Sequence, residues 1–301
     1  LYPSVRNGLH YFLKYIGADG LFYQRFETSK GLWDHRIGDY GKHSYTNLIV
    51  LESFRVGIKL AKALNEQDDV TIFSETVQRM SDGIQRFLWS EKCGGFIRSV
   101  GNEVFCDLAN PFAMGKGLLT KSQAASVAKL AKTHTHPYGK IVSLMIHGLY
   151  MYGFDEIAYE MLTNPIPCLR EDGKLYAYVD WLNILKSDDE PHCMTECMHY
   201  PLPEFGAGRD WGDCSHPDAC VNDILSGDIL GIRPLETGFK KFVIDPHAFG
   251  IAHAKGMVET PYGVIRFAWE KRGERIYGKL CCPKKCQYIV TNPSLVEIIE
   301  V

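Results

Sequence analysis

A change of apolar rhythm near residue 239 constrains this chain more than any other feature. Upstream, large apolar residues recur every three to four positions. Tyr45 to Leu64 carries Leu48, Ile49, Leu51, Phe54, Ile58, Leu60, Ala61 and Leu64 around most of its circumference, the signature of a helix buried on more than one side. Residues 70–89 repeat the 3.6-residue spacing with Phe73, Val77, Met80, Ile84, Phe87 and Leu88, until Cys93-Gly94-Gly95-Phe96-Ile97 breaks it. A short helix is expected from Ser4 to Ile16, stopped by Gly17. Others are expected near 108–117, 121–132, 138–152, 154–163, 176–185 and 218–230. Connections alternate short and long, as in a toroid of helical hairpins whose long loops gather at one end. From 239 the rhythm shortens to two residues: Phe242 and Ile244, then Ile265, Phe267 and Trp269. Pro261-Tyr262-Gly263 and Arg272-Gly273 read as turns, with further strands at 276–280 and 287–290. The expectation is a mainly α domain over 1–231 and a small antiparallel sheet or sandwich over 232–301, too small to stand alone.

Composition narrows the partners. The net charge of −3 gives no basic surface for nucleic acid or an anionic membrane, and no apolar run is long enough to span a bilayer. The 10 cysteines are too sparse for a disulfide scaffold. With no Asn-x-Ser/Thr acceptor, they point to a reducing, cytoplasmic setting. The chain opens Leu-Tyr-Pro-Ser without an initiator Met, as a processed or excised piece would.

The candidate site lies in the polar stretch from Thr195 to Asp218. Glu196, Glu204, Asp210, Asp213 and Asp218 stand among Trp181, Tyr200, Trp211 and His216. Acids mixed with rings suit sugars, since rings cover the apolar faces of a pyranose and carboxylates bind its hydroxyls. Glycoside hydrolysis also needs two carboxyl groups in different environments. The plainer alternative is a solvated loop in which Asp213, Ser215 or Asp218 merely caps the following helix. Asp34 and Asp39, beside Trp33 and Tyr40, form a second small cluster on the glycine-rich loop 17–43. If the hairpins close a ring, the two loops face each other. Of Cys193, Cys197, Cys214 and Cys220 the second pair, C-x5-C, falls outside the usual zinc-ligand spacing, so the four are expected as small buried thiols rather than a zinc site. No P-loop, GxGxxG, HExxH or GxSxG is present, so neither metal nor cofactor is expected.

Several segments carry a resemblance. Gly38-Asp39-Tyr40 before a long helix, Ser215-His-Pro-Asp-Ala219 before a later one, and Leu230-Gly-Ile-Arg-Pro-Leu-Glu-Thr-Gly-Phe-Lys-Lys-Phe242 followed by Ile244-Asp-Pro-His247 resemble the α-L-rhamnosidases of glycoside hydrolase family 78. Ala254 to Phe267 resembles the hairpin that follows in that family. The resemblance implies a six-hairpin (α/α)6 toroid, incomplete at its N-terminus, with a C-terminal β-sandwich. It implies inverting hydrolysis of terminal α-L-rhamnosides, with Glu196 activating water and Asp39 binding sugar hydroxyls. Asp210 and Asp213 would hold further hydroxyls, and Trp33, Tyr40, Trp181, Trp211 and His216 would line the pocket. This sequence departs from the family at Tyr40, where Trp is usual, and in the close Thr195–Glu196 spacing. The family's general acid lies on an acidic loop upstream of Gly-Asp-Trp that this sequence lacks. The acid is therefore expected from an upstream segment of the same enzyme or from Asp34, and a second copy of the chain is the other candidate partner. A carbohydrate-binding module without catalysis is the main alternative, and a lyase or epimerase using His199 or Tyr200 is the next.

Overall fold

The computed structural model describes residues 1–24, 41–134, 139–164, 166–169, 175–179, 198–199 and 221–300. The chain divides into two compact units, Leu1–Lys129 and Leu130–Val301.

The first unit begins with α1 (Tyr2–Leu13), α2 (Ser44–Ala63) and α3 (Gln67–Leu88). Helix α1 starts earlier than its apolar spacing suggests because Pro3 is accommodated in its first turn, where a missing N–H costs nothing, and it ends at Leu13 rather than Ile16. Helix α2 ends in a tight reversal. Asn65 takes a left-handed φ of 62°, and Glu66 N–H reaches back to Ala61 O at 2.9 Å. Asn tolerates that conformation and closes the exposed carbonyls of the last turn. Phe54, Phe73, Met80 and Ile84 are all buried, and the Phe54 and Phe73 rings meet between α2 and α3 with centroids 5.5 Å apart. Asp69, also buried, ties α3 to α1 by accepting hydrogen bonds from Tyr2 Oη at 2.8 Å and Arg6 Nε at 2.7 Å, and by pairing with His10 Nε2 at 2.9 Å.

Past α3 the sequence break at Cys93–Ile97 becomes a small sheet: β1 (Trp89–Ser90), β2 (Gly95–Ser99) and β3 (Asn102–Phe105), paired antiparallel in that order. Helices α4 (Ala109–Gly115) and α5 (Lys121–Leu130) follow.

One device occurs twice in this unit. Asn47, in the first turn of α2, accepts Phe22 N–H at 2.7 Å and donates to Phe22 O at 3.1 Å and His43 O at 2.8 Å. Asn110, in the first turn of α4, accepts Phe96 N–H at 2.7 Å and donates to Phe96 O at 2.9 Å and Cys106 O at 2.8 Å. Each fully buried amide clamps both backbone groups of an aromatic residue and also reaches the carbonyl four residues before itself. A buried Asn is stable only when its donors and its acceptor are matched in this way.

The second unit contains α6 (Gly139–Met151), α7 (Asp155–Thr163), β4 (Ile166–Leu169), β5 (Leu175–Val179) and β6 (Met198–His199). Strand β5 overturns the helix expected at 176–185 where that span is described. Leu-Tyr-Ala-Tyr-Val is aromatic and short, and it pairs antiparallel with both β4 and β6. The expected 218–230 helix is described from Val221, as α8 (Val221–Asp223) running into a π-helical turn, Ile224–Ile229.

The remaining strands are β7 (Ile232–Pro234), β8 (Lys241–Ile244), β9 (His253–Thr260), β10 (Gly263–Arg272), β11 (Arg275–Cys281), β12 (Gln287–Val290) and β13 (Val296–Glu300). They form a sheet ordered β13-β11-β10-β9 and another ordered β12-β8-β7. Neither is wholly antiparallel as expected, because β13 runs parallel to β11 and β12 parallel to β8. The chain leaves the first sheet after β11, supplies β12 to the second, and returns as β13. Switching sheets provides the crossover that a parallel pair requires. Ile265, Phe267 and Trp269 alternate inward along β10 as their period predicts.

Candidate functional site

The residues expected to act on a sugar, Trp33, Asp34, Asp39, Tyr40, Trp181, Glu196, Asp210, Trp211, Asp213 and His216, lie outside the described residues. The stems that carry them are described. Gln24 and Gly41 exchange backbone hydrogen bonds of 2.9 and 3.1 Å, so the described residues on either side of 25–40 lie side by side. Thr46 Oγ1 donates to Gln24 Oε1 at 2.9 Å. The Asn47 clamp on Phe22 and an ion pair between Lys42 and Asp19 brace the same stem. On its far side His43 bridges Ser99, and Ser44 Oγ donates to Ile97 O. The β2–β3 hairpin is therefore the immediate neighbour of this stem.

In the second unit the ladder between β5 and β6 pairs Tyr178 with His199 and Val179 with Met198. Val179–Met198 is its last described rung. Two residues beyond it along the sequence stand Trp181 after β5 and Glu196 before β6. The other end of the polar stretch meets α8 at Val221, which is buried.

A polar network at the joint between the helices and strands of the second unit escaped the sequence reading. Asp228, on the π-helical turn, is buried. Its carboxylate accepts from His147 Nδ1 at 3.0 Å and pairs with Arg233 Nη2 at 2.8 Å. His147 Nδ1 also lies 2.9 Å from Arg233 Nη2. Both nitrogens are donors when Nδ1 carries its proton, so the carboxylate, not a histidine–arginine bond, holds the three together. Arg233 reaches on to Asp223 at 3.2 Å. The guanidinium lies across Gly227, where a Cβ would come within 2.4 Å of Arg233 Cζ. An acid amid the apolar residues Ile224, Ile229 and Leu230 was the available signal, since a buried carboxylate requires partners.

Next to it, His247 N–H donates to Asp228 O at 3.1 Å, and His247 Nδ1 meets Asp155 at 3.1 Å. Burial opposes charge on His247, but the Asp155 hydrogen bond and the charges of Asp155, Asp245 and Asp228 outweigh it and raise its pKa. Tyr150 packs on the His247 ring at 4.8 Å. Its buried hydroxyl is held neutral by burial and then by the charges of Asp155, Asp228 and Tyr159. The paired charges of Asp155, Asp228, Arg233 and the two histidines fasten helix to strand, while the buried Tyr150 hydroxyl has no hydrogen-bond partner among the described residues. Among the described residues no group of three or more His, Cys, Asp and Glu stands close enough to hold a metal ion.

Comparison with known proteins finds likenesses in both parts of the chain. Residues 231–296 match the family model described as bacterial alpha-L-rhamnosidase C-terminal domain. Curated proteins give no match. Among solved structures, the GH78 family rhamnosidase of Bacillus sp. GL1 superposes with a TM-score of 0.74 at 20% identity, over 100% of this chain and 31% of that one. The native rhamnosidase of Aspergillus terreus gives 0.66 at 16% identity, over 95% and 33%. The Streptomyces avermitilis enzyme complexed with L-rhamnose gives 0.63 at 14% identity, over 96% and 26%. The chain thus spans a third or less of the proteins it matches. Residues 231–296 are similar to the C-terminal domain of bacterial alpha-L-rhamnosidases, and the chain along its whole length resembles the matching part of the GH78 rhamnosidases.

Proposed function

We propose that the chain serves in the inverting hydrolysis of terminal α-L-rhamnosides and supplies the water-activating side of the site. Glu196 is the general base. It draws a proton from water as the oxygen attacks the anomeric carbon, while an acid on the opposite face protonates the leaving oxygen. Inversion sets the two carboxyl groups about 6.5–9.5 Å apart. The acid comes from an upstream segment of the same enzyme or from Asp34. Asp39, Asp210 and Asp213 bind sugar hydroxyls, and Trp33, Tyr40, Trp181, Trp211 and His216 enclose the ring. The helices belong to a six-hairpin toroid, and the strands from 232 onward to a C-terminal sandwich. The family match beginning at residue 231 supports that boundary.

The observation that carries the reading is the β5–β6 ladder. Its last described rung leads on one strand to an aromatic residue and on the other to an acid, each two residues away. A pyranose requires a platform and a carboxylate side by side, and we propose that Trp181 and Glu196 stand in that relation. The test is an aryl α-L-rhamnoside assay of the wild-type chain and Glu196→Gln, with and without the upstream segment supplied. General-base catalysis is worth about 10²–10⁴ in rate, and a loss of that size is expected. A loss below about tenfold removes Glu196 as base. Binding of L-rhamnose without turnover under every condition favours the non-catalytic binding module.

A further inference from the structure

The turn joining β11 to β12 reads Cys281-Cys282-Pro283-Lys284-Lys285-Cys286. Cys286 N–H donates to Pro283 O at 2.8 Å, which closes the turn. Pro283 fixes its own φ, which stiffens the turn further. Cys282 Sγ lies over the turn, 3.4 Å from Pro283 O and 3.7 Å from Cys286 O. Cys282 is half-buried, Cys286 is buried, and Lys284 and Lys285 between them are exposed. Both thiols are free. The two cysteines end one closed turn, with Cys282 Sγ already 3.7 Å from the Cys286 carbonyl oxygen, and a disulfide between them requires Cα atoms about 4.4–6.8 Å apart.

We infer that Cys282 and Cys286 form an oxidisable dithiol, a modification site for small anionic disulfides of the glutathione type. Cys282 is the more accessible sulfur and attacks first. Its thiolate displaces one thiolate from the small disulfide and forms a mixed disulfide. The Cys286 thiolate then attacks Cys282 Sγ and releases the second. Two protein protons and two electrons leave, one disulfide is reduced to two thiols, and the balance is complete. The exposed lysines attract the anionic reagent. Burial first, and then the charges of Cys286, Glu300 and Cys281, hold the Cys282 thiol above its ordinary range. The pair therefore rests as thiols and reacts faster as pH rises, because the thiolate is the attacking form. The consequence is local: the bridge fixes the turn that carries the chain from one sheet of the second unit to the other.

The test treats the folded chain with glutathione disulfide, alkylates the remaining thiols and maps peptides by mass. The expected product in wild type is a Cys282–Cys286 bridge, lighter by two hydrogens and reversed by dithiothreitol. Cys286→Ser should accumulate glutathione on Cys282, and Cys282→Ser should accumulate neither product at this turn. Cys106, buried and pushed up to about 11 mainly by that burial, serves as the unreactive reference. Three results overturn the inference. In the first, Cys282 and Cys286 both remain alkylatable while Cys93 is fully modified. In the second, the bridge joins Cys281 to Cys282. In the third, a glutathione adduct persists in wild type without ring closure.

Discussion

The two asparagine clamps give the sharpest stability prediction, because the same chemistry sits in a dry site and in a wetter one. Replace Asn110 by Ala. Phe96 N–H loses its acceptor, and the Phe96 and Cys106 carbonyls each lose one donor. The carbonyls keep a second partner, since Cys106 N–H reaches Phe96 O at 2.9 Å and Asn110 N–H reaches Cys106 O at 3.2 Å. Only the amide is orphaned, beside a residue of zero exposure. An orphaned buried donor costs about 1–3 kcal/mol and a lost hydrogen bond about 1. Asn110→Ala should therefore cost about 3 kcal/mol, a large share of the total stability of a domain. Asn47→Ala removes the same bonds at Phe22, which is only half-buried, so water replaces part of the loss and about 2 kcal/mol is expected. Asn110→Asp keeps the acceptor, but at neutral pH it sets a carboxylate against two carbonyl oxygens and should be worse than Ala. Urea titrations followed by far-ultraviolet circular dichroism measure all three. The reasoning fails if Asn47→Ala costs more than Asn110→Ala, or if Asn110→Asp is the more stable of the two Asn110 variants at neutral pH.

Two further predictions concern the second unit. Gly231 has a φ of 83°, and a Cβ there would stand 2.3 Å from Pro246 N. Gly231→Ala should therefore lose more than about 2 kcal/mol by thermal unfolding, strain and backbone collision together; a variant as stable as wild type would refute the stated geometry. His247 has a raised pKa, so its ion pair with Asp155 contributes fully below the ordinary histidine value and fades as pH rises through the folded one. Wild type should lose stability across that window relative to His247→Gln, and parallel pH profiles would exclude the linkage.

The long helices of the first unit were legible because the apolar stripes of α2 and α3 extend over many turns, and nothing but a helix buries such a stripe. The β10 strand was legible for the same reason at a period of two. Leu175–Val179 was not, since five residues are too few to separate one period from the other. The parallel placement of β12 and β13 left no local mark, because it depends on which sheet the chain enters next. Asn47 and Asn110 look like ordinary polar residues near helix starts until their partners, 25 and 14 positions away, are known. Asp228 was readable in principle, as an acid within an apolar run, but its partner His147 is 81 positions distant. The proposed sugar-contacting residues came from composition and resemblance, and the described residues locate only their stems.

The π-helical turn at Ile224–Ile229 has a consequence for insertions and deletions. Leu230 N–H reaches Leu225 O at 2.8 Å, and Ile229 O takes the Trp269 indole at 3.2 Å. One residue fewer would restore ordinary α-helical spacing and turn one side of the segment by about 100° against the other. Val221 and Ile224 could not then stay buried while Asp228 still faced His147 and Ile229 still faced Trp269. Exchange of a side chain such as the exposed Leu225 leaves that geometry intact. This joint is therefore tolerant of spelling and intolerant of length: a substitution can be absorbed, whereas a single-codon deletion sets the start of the segment out of phase with its end.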